Sequence, residues 1–295
     1  MELILNINQY DYLNYINYNV STIQIGLTNF CVGYIKSYSL DELENIISTI
    51  HSHNKKIYVT INKIANEELT NKLLAIMPQL SSLNIDGFVL ADFGILQIFK
   101  MYNLTSKIIF NPVTNITNKF SAKIMNEMGV NHVCLANELN IQDILDISLY
   151  TMGNIELLAY GYYQICNSKR PLLTNFFRKN KIKDLSNYYY IKEESRDYSY
   201  PIIELDGDCL VYIDRPRTII KYFNEIRNAN IKYLRIDTMF LGQSEIDLVL
   251  SSYHQLIDDT SKASQIMETI KKHTTANLLC LDTISILTKE KKNEQ

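Results

Sequence analysis

The chain has 295 residues, of which 46% are hydrophobic and 21% are charged, and its formal net charge at pH 7 is −3. A hydrophobic fraction of this size supplies a sizeable core and excludes a disordered chain. The slightly acidic balance argues against a protein that binds nucleic acid by global electrostatics, although it allows a local basic patch.

The amino terminus and the cysteines bear on where the protein works. Residues Met1–Ile4 lack the basic segment and long apolar core of a signal peptide, and no apolar run approaches transmembrane length. We therefore expect a soluble cytoplasmic protein that makes no membrane contact. The thiols are then expected to be reduced, and their scattered positions predict no zinc or iron–sulfur site. The five cysteines are Cys31, Cys134, Cys166, Cys209 and Cys280.

Short β-type runs alternate with helical patterns through the first half of the chain. In the first helix, Ser39 and Glu42 form a capping box ahead of an apolar stripe. The predicted strands are Glu2–Leu5, Thr22–Ile25, Lys56–Ile61, Gly87–Leu90, Lys107–Phe110, His132–Leu135 and Ile155–Ala159. The later predicted helices run from about Glu67 to Leu83, from Gly94, from about Asn118 to Met128, and from Ile141. This alternation is typical of parallel βα units.

The alternation loosens beyond Phe177. The polar stretch Arg178–Arg196 is typical of an insertion, and Ile202–Leu205 with Cys209–Ile213 predicts a β-hairpin around an Asp-Gly-Asp turn. The remaining predicted elements are a helix from Pro216 to about Asn228, an eighth strand at Tyr233–Ile236 and a last barrel helix from Gln243 to about Ile257.

These elements predict an α/β protein with one (β/α)8 barrel of the TIM type. The single domain is expected to span residues 1–288, with an insertion at 178–216 that carries the hairpin before the last strand. The charged tail at 289–295 is expected to be disordered.

In such a barrel, working residues lie just past the carboxyl ends of the strands. No histidine follows a predicted strand, so no Ser–His or Cys–His pair is visible. We therefore predict substrate-binding residues and leave the catalytic residue unknown. The candidate substrate-binding residues are Asn62, Asn111, Tyr160, Ser168, Lys169, Arg170 and Asp237, and further polar strand-end positions are Lys63, Thr114 and Asn137.

The segment Tyr160–Phe177 concentrates the most chemistry in a short length. A glycine ends the preceding apolar run, and polar and cationic side chains follow at once. Lys169 and Arg170 suit a carboxylate or a phosphate, since arginine offers a planar bidentate fork. A salt bridge to Glu138 or Asp237 that braces the barrel mouth explains these two cations equally well.

Three residues are weak catalytic candidates. Cys166 lies close in sequence to Lys169 and Arg170, whose charges favour a thiolate, although a packing role is the leading alternative. Glu138 and Asp92 could form a carboxylate pair or bind a cation. Acids at strand ends also accept hydrogen bonds from backbone amides, and that alternative is slightly favoured.

A basic cluster follows the focal segment. Its cations could contact an RNA backbone while neighbouring tyrosines stack on bases, and a solvated loop is the plainer interpretation. The cluster comprises Arg178, Lys179, Lys181 and Lys183, with Tyr188–Tyr190 beyond it.

The focal segment resembles a block of the peptidase U32 family. That block is His-Gly-(x)-Met-Phe-(x)-Ser-Lys-Arg-(x)-Leu-(x)-(x)-Asn-Tyr-Phe, and here Tyr160 replaces its histidine. The positions that fall on the motif are Ser168, Lys169, Arg170, Leu172, Asn175 and Phe177.

Five other segments extend the resemblance over most of the chain. Asn62 matches the family's asparagine after the third strand, and Ala91–Gly94 is similar to its Asp-x-Gly turn. Asn137–Leu139 resembles an Arg-Glu-Leu element, with asparagine in place of arginine. Arg196–Ile202 resembles a segment that ends in Tyr-Pro, and Ile231–Asp237 matches the last strand with an arginine for lysine.

The resemblance implies two classes of function. Family members are called peptidases or collagenase-like proteases, whereas better-understood relatives carry an iron–sulfur cluster on four cysteines and hydroxylate tRNA wobble uridine, ribosomal RNA or the ubiquinone ring. The chain is most similar to the short-subunit branch of low-GC Gram-positive bacteria, where prephenate-dependent wobble-uridine hydroxylation uses a short and a long subunit.

Only Cys166 lies where the family's cluster cysteines begin. The resemblance therefore implies a subunit without its own cofactor, whose longer U32 partner holds the cluster, with tRNA as a possible further partner. The alternative is a peptidase, which would need a histidine that approaches Cys166 in space.

Overall fold

The structure is a computed structural model that describes residues 1–183, 186–192, 194, 198–274 and 278–280. The predicted tail at 289–295 and the end of the predicted domain at 288 lie outside these residues. No helix in these ranges has the length and apolar character needed to cross a membrane.

The described part of the chain alternates strands and helices as the sequence predicts. The strands are β1 (Glu2–Asn6), β2 (Thr22–Gly26), β3 (Lys56–Ile61), β4 (Gly87–Leu90), β5 (Ile108–Phe110), β6 (His132–Cys134), β7 (Ile155–Gly161), β8 (Gln164–Ser168), β9 (Tyr189–Lys192), β10 (Ser199–Leu205), β11 (Asp208–Tyr212), β12 (Arg217–Thr218), β13 (Tyr233–Asp237) and β14 (Leu279–Cys280). The α-helices are α1 (Leu40–Ser52), α2 (Glu67–Ser82), α3 (Phe93–Met101), α4 (Lys119–Glu127), α5 (Ile141–Thr151), α6 (Leu172–Asn180), α7 (Phe223–Asn228), α8 (Gln243–Asp258) and α9 (Ala263–His273). Short 3-10 helices span Tyr12–Tyr15, Thr105–Lys107, Ile220–Tyr222 and Thr260–Lys262.

Eight parallel strands form a closed barrel, which confirms the predicted (β/α)8 architecture. Their order is β13-β1-β2-β3-β4-β5-β6-β7, and β7 pairs with β13 to close the ring. Between β1 and β13, Glu2 lies opposite Tyr233 and Asn6 lies opposite Asp237. The carboxyl ends of all eight strands therefore meet at one mouth.

Local capping explains why the helices begin where they do. Ser39 N donates to Glu42 Oε2 at 2.7 Å, so the predicted capping box of α1 is confirmed. Side-chain oxygens of Asn66, Asp92 and Asn118 accept from the first amides of α2, α3 and α4 in the same way. The apolar faces of these helices then pack around the barrel strands in one core.

A second sheet covers part of the barrel mouth. Strands β8, β11, β10 and β9 lie in that antiparallel order, and the predicted hairpin is its β10–β11 pair. The excursion begins at Gln164, earlier than the predicted start at 178. Its inner face packs Ile203, Leu210 and Tyr212 against Met239 next to the mouth. Helix α6 covers the outer face.

Two further boundaries differ from the prediction. The helix expected from Pro216 begins at Phe223, because Arg217 and Thr218 form β12 antiparallel to the end of β7. Arg217 is buried there, and its guanidinium donates to the carbonyls of Asn137 and Leu139. Helix α9 and strand β14 were not predicted.

Candidate functional site

A polar cavity of about 70 Å³ lies inside the mouth of the barrel. We call it the barrel cavity. Most of its polar lining is neutral, and Tyr34, Thr60, Tyr162 and Tyr163 contribute aromatic or hydroxyl-bearing side chains. Seven amide side chains line it: Asn6, Asn8, Gln24, Asn62, Asn111, Asn137 and Gln164. Amides present donors and acceptors together, so this lining suits a neutral ligand with both kinds of group.

A chain of buried charges runs beneath the cavity. Arg235 Nε lies 2.7 Å from Glu156 Oε1, and Arg235 Nη1 lies 3.0 Å from Asp237 Oδ2. His132 Nε2 lies 3.1 Å from the other Glu156 oxygen. Asn8 Nδ2 donates to Asp237 Oδ1 at 2.6 Å. Arg235 and Asp237 line the cavity, and two carboxylates share this one guanidinium.

The environment of Glu156 predicts a pH dependence of stability. Burial raises its pKa, but the hydrogen bond with His132 and the charge of Arg235 outweigh burial and lower the pKa to about 2. A carboxyl with a depressed folded pKa stabilises the fold above its unfolded pKa of about 4.3, and the contribution is lost as pH falls. Between about pH 5 and pH 2, we expect the free energy of unfolding to fall more steeply in the parent than in Glu156→Gln, as measured by urea denaturation. Equal slopes would contradict this account.

One acceptor in the cavity has no partner. Gln24 Nε2 donates to Thr60 Oγ1 at 3.0 Å and to the Tyr34 hydroxyl at 3.2 Å. Tyr34 in turn donates to Asn6 Oδ1 at 2.6 Å. Gln24 is only 3% exposed, and its Oε1 accepts from no group that the structure describes. A buried unsatisfied acceptor costs stability, so this oxygen is a candidate contact for a ligand N–H or O–H.

A wider pocket of about 390 Å³ opens from the cavity to the surface. We call it the vestibule. The two share Val32, Asn62, Val113 and Gln164, and exposed Phe93 contributes an apolar wall. Val113 has φ +68°, which is an outlier for a β-branched residue. Backbone strain of this kind clusters at binding sites, where the surrounding structure holds it in place.

Comparison with known proteins identifies the family. The sequence model of peptidase family U32 matches residues 10–281. The chain belongs to the peptidase U32 family. A curated relative, tRNA hydroxylation protein P2 of Bacillus subtilis (strain 168), is 24% identical over 249 residues, which cover 80% of this chain and 81% of that protein.

Two other U32 relatives are longer. The 23S rRNA 5-hydroxycytidine C2501 synthase of Escherichia coli (strain K12) is 20% identical over 82% of this chain and 36% of that protein. The tRNA hydroxylation protein P of Helicobacter pylori (strain ATCC 700392 / 26695) is 21% identical over 65% of this chain and 48% of that protein. This chain therefore spans less than half the length of either. A crystal structure of D-psicose 3-epimerase in the presence of D-fructose aligns with 80% of this chain and 84% of that chain, at 10% identity and a TM-score of 0.30, which is too low to bear on the ligand.

The structure brings three of the predicted substrate-binding residues of this U32 chain together. Asn62, Asn111 and Asp237 all line the barrel cavity. Asn62 Oδ1 accepts from Val32 N at 2.8 Å, and Asn111 Oδ1 accepts from Val113 N at 3.3 Å. The first two amides thus also shape the loops of the mouth.

Tyr160, at the position of the U32 motif histidine, lies on the side of β7 that faces away from the barrel cavity. Its ring is fully buried between barrel and helix, and its hydroxyl donates to Glu245 Oε1 on α8 at 2.7 Å. Leu158 and Tyr162 line the cavity instead, because the pairing of β7 with β13 shifts register between Leu158 and Tyr160, and this irregularity turns Tyr160 to the other face of the strand. Tyr160 therefore lies outside the barrel cavity and the vestibule.

The cationic part of the U32 block makes different contacts from those expected. Lys169 Nζ lies 2.8 Å from Asp208 Oδ1 on the second sheet, and buried Lys63 approaches the same carboxylate at 3.8 Å. The expected bridges to Glu138 or Asp237 are not the ones formed. Ser168 Oγ accepts from the amide of Arg170 at 3.1 Å, and neither residue lines the two cavities.

The weak catalytic candidates do not form a pair. Asp92 and Cys166 line the vestibule with Thr114, whereas Glu138 is exposed outside it. Asp92 Oδ1 accepts from Gly94 N at 2.7 Å, and its other oxygen accepts from Ala65 N, so it caps α3.

Histidines and thiols are dispersed in the described structure. No histidine lines the vestibule beside Cys166, and His51 and His132 each contact an acid elsewhere. Cys31 lies on a loop and the other four cysteines lie on four different strands, and the described residues contain no group of three or more His, Cys, Asp or Glu that could hold a metal. These side chains therefore do not fit a cluster on four cysteines.

Sequence reasoning missed the floor of the cavity. Asn6 ends β1 and Asn8 follows it, so applying the strand-end rule there would have found them. Gln24 and Arg235 are polar residues inside apolar strands, and this is the signal that could have located them. Tyr34 lies on a loop, and its sequence offered no such signal.

Proposed function

We propose that this chain is a subunit of a tRNA-hydroxylating assembly that modifies the wobble uridine in a prephenate-dependent reaction. The observation that carries the proposal is the mutual coverage with tRNA hydroxylation protein P2, 80% of this chain and 81% of that relative. The family match over residues 10–281 spans both the barrel and the second sheet, so the similarity is not confined to a barrel scaffold.

The chemistry of the barrel cavity supports a neutral ring as its ligand. Arg235 is already held by Glu156 and Asp237, so the described lining of the cavity offers no free cation for a dianion. Gln24 Oε1 and the amide lining can read the edge of a uracil. We assign the anionic co-substrate to another part of the assembly.

The vestibule supplies a path for a nucleotide extruded from an RNA loop. Its exposed Phe93 lies beside Phe110 with ring centroids 4.9 Å apart, which holds an aromatic surface at the entrance. Base–aromatic stacking contributes about 1–3 kcal/mol per base. In this proposal the chain binds and orients the base.

The iron–sulfur cluster of the proposed assembly belongs to a longer U32-family partner subunit. Four thiols lie on four different strands and the fifth on a loop, and the described residues contain no group that could hold a metal. We propose cytoplasmic tRNA as the substrate of the two subunits together.

Deletion of this gene is expected to remove 5-hydroxyuridine derivatives from the wobble position, measured by mass spectrometry of tRNA nucleosides. The wild-type gene should restore them. Gln24→Leu should restore less than about one tenth, because it removes the buried acceptor at a loss of more than about 1.4 kcal/mol. Gln79→Leu, on an exposed face of α2, is the matched control and should restore fully.

Two results would overturn the proposal. The first is unchanged tRNA nucleosides in the deletion strain. The second is a peptidase activity of the chain that Cys166→Ala abolishes, together with a failure of the same variant to restore the wobble nucleosides. That pair of results would favour the peptidase alternative.

A further inference from the structure

A stretch beside the vestibule has a charge unlike the rest of the chain. Residues 157–183 contain six cations and no aspartate or glutamate, although the whole chain has a net charge of −3. The six are Lys169, Arg170, Arg178, Lys179, Lys181 and Lys183.

Within the described part of the chain, five of these cations have no acidic partner. Lys169 pairs with Asp208, whereas the other five are exposed and form no ion pair with any residue in the described ranges. Lysines on other helices behave differently: Lys72, Lys123 and Lys271 each lie within 3.6 Å of a neighbouring glutamate oxygen. The uncompensated charge is therefore specific to α6 and its flanks among these examples.

The nearby acid Glu204 is already engaged. Its Oε2 accepts from Leu173 N at 2.8 Å and from Thr174 N at 3.3 Å, at the start of α6. It therefore compensates the helix terminus and leaves the cations beyond it available to a ligand.

An exposed ring lies among the cations. Phe176 on α6 is 54% exposed. Phe177 lies 4.8 Å from Tyr189 between ring centroids, so α6 is fixed to the edge of the second sheet. We call the exposed cations of 170–183 with Phe176 the basic–aromatic face.

This face begins at the rim of the vestibule. Cys166 and Asn167 on β8 line the vestibule, and Arg170 lies three positions after Asn167 in the chain. Helix α6 begins at Leu172 and spans nine residues, which is about 13 Å. A strand of nucleic acid on this face would reach the vestibule without a gap.

We propose that the basic–aromatic face binds the backbone of an RNA strand and directs it to the vestibule. The choice of RNA as the polyanion rests on the proposed function, while the charge and the exposed ring of Phe176 are properties of the face itself. A lipid surface fits less well, because Leu173 and Phe177 pack towards the sheet and leave only part of the apolar stripe of α6 for insertion.

The test measures binding of a fluorescently labelled anticodon stem-loop RNA to the purified full chain over a salt series. In the triple variant Arg178→Gln, Lys179→Gln, Lys181→Gln, we expect affinity at low salt to fall by roughly tenfold or more. The slope of log affinity against log salt should become shallower by about 2, from three lost phosphate contacts.

The control changes net charge equally elsewhere. Lys123→Gln, Lys262→Gln and Lys271→Gln together remove three ion-paired lysines from other helices and should leave the affinity within twofold. Parental affinity and slope in the first triple variant would overturn the proposal. Equal losses of RNA affinity in both triple variants would also overturn it. So would a first triple variant that loses binding to phosphatidylserine vesicles but keeps its RNA affinity.

The outcome is separable from that of the proposed function. If the first triple variant loses RNA affinity but the deletion strain keeps its wobble nucleosides, the face stands and the hydroxylation role fails. If the deletion strain loses those nucleosides but the triple variant restores them fully, the role stands and the face fails.

Discussion

Replacement of Arg235 by methionine is expected to lower the free energy of unfolding by about 3 to 5 kcal/mol. Arg235 is the cation shared by Glu156 and Asp237, and all three are at most 8% exposed. Methionine fills part of the space but leaves two buried carboxylates without the guanidinium they share, although Glu156 keeps its contact with His132. Urea denaturation of the parent and Arg235→Met at pH 7 measures the loss.

A double variant separates buried charge from packing. In Arg235→Met with Glu156→Gln one uncompensated carboxylate is gone, so this protein is expected to be more stable than Arg235→Met alone by about 1 kcal/mol or more. Arg227→Met, at an exposed position on α7, is the matched control and should change stability by about 0.5 kcal/mol or less. Parental stability of Arg235→Met would mean that the charge network contributes nothing.

The barrel could be predicted because its signals are local. The capping box of Ser39 and Glu42 fixes the start of α1, and apolar runs between helical stripes mark the strands. The hairpin followed from the turn at Asp206–Asp208 in the same way. None of these signals requires knowledge of a distant partner.

The second sheet could be predicted only in part, because β8 depends on a distant partner. Gln164–Ser168 contains few apolar residues, and it becomes a strand through pairing with Asp208–Tyr212 far along the chain. Its polar sequence therefore predicted a loop. The same distance explains Lys169, whose acid partner Asp208 lies on that paired strand.

Candidate-site residues at strand ends could be predicted from the sequence, whereas those inside a strand could not. Asn62, Asn111 and Asp237 follow from the strand-end rule, and the structure brings them together. Tyr160 satisfied the same rule by position, but a register irregularity in β7 just before it turns its side chain towards α8. Gln24 was concealed because its strand is otherwise apolar.

Gly161→Ala is the second substitution expected to have a large effect, with a loss of roughly 3 kcal/mol or more in the free energy of unfolding. Gly161 has φ +132°, and an added Cβ would lie 2.7 Å from the carbonyl oxygen of Asp237 and 2.9 Å from its Cβ. Strain in φ and the overlap each contribute about 1–3 kcal/mol. Thermal and urea denaturation measure the change.

Gly207→Ala provides the control that isolates the overlap. Gly207 also has a positive φ of +79°, but an added Cβ there would meet nothing within 4 Å, so only the backbone cost of about 1 kcal/mol is expected. Gly161 lies close against Asp237, whose carboxylate accepts a hydrogen bond from Asn6 at 2.8 Å. Gly161→Ala should therefore also displace the wall of the barrel cavity. We therefore expect Gly161→Ala to lose both stability and the function of the barrel cavity, whereas Gly207→Ala should keep that function. Equal stability of the two variants would show that β13 can shift away from an added Cβ at little cost in free energy, and that the close approach is not required.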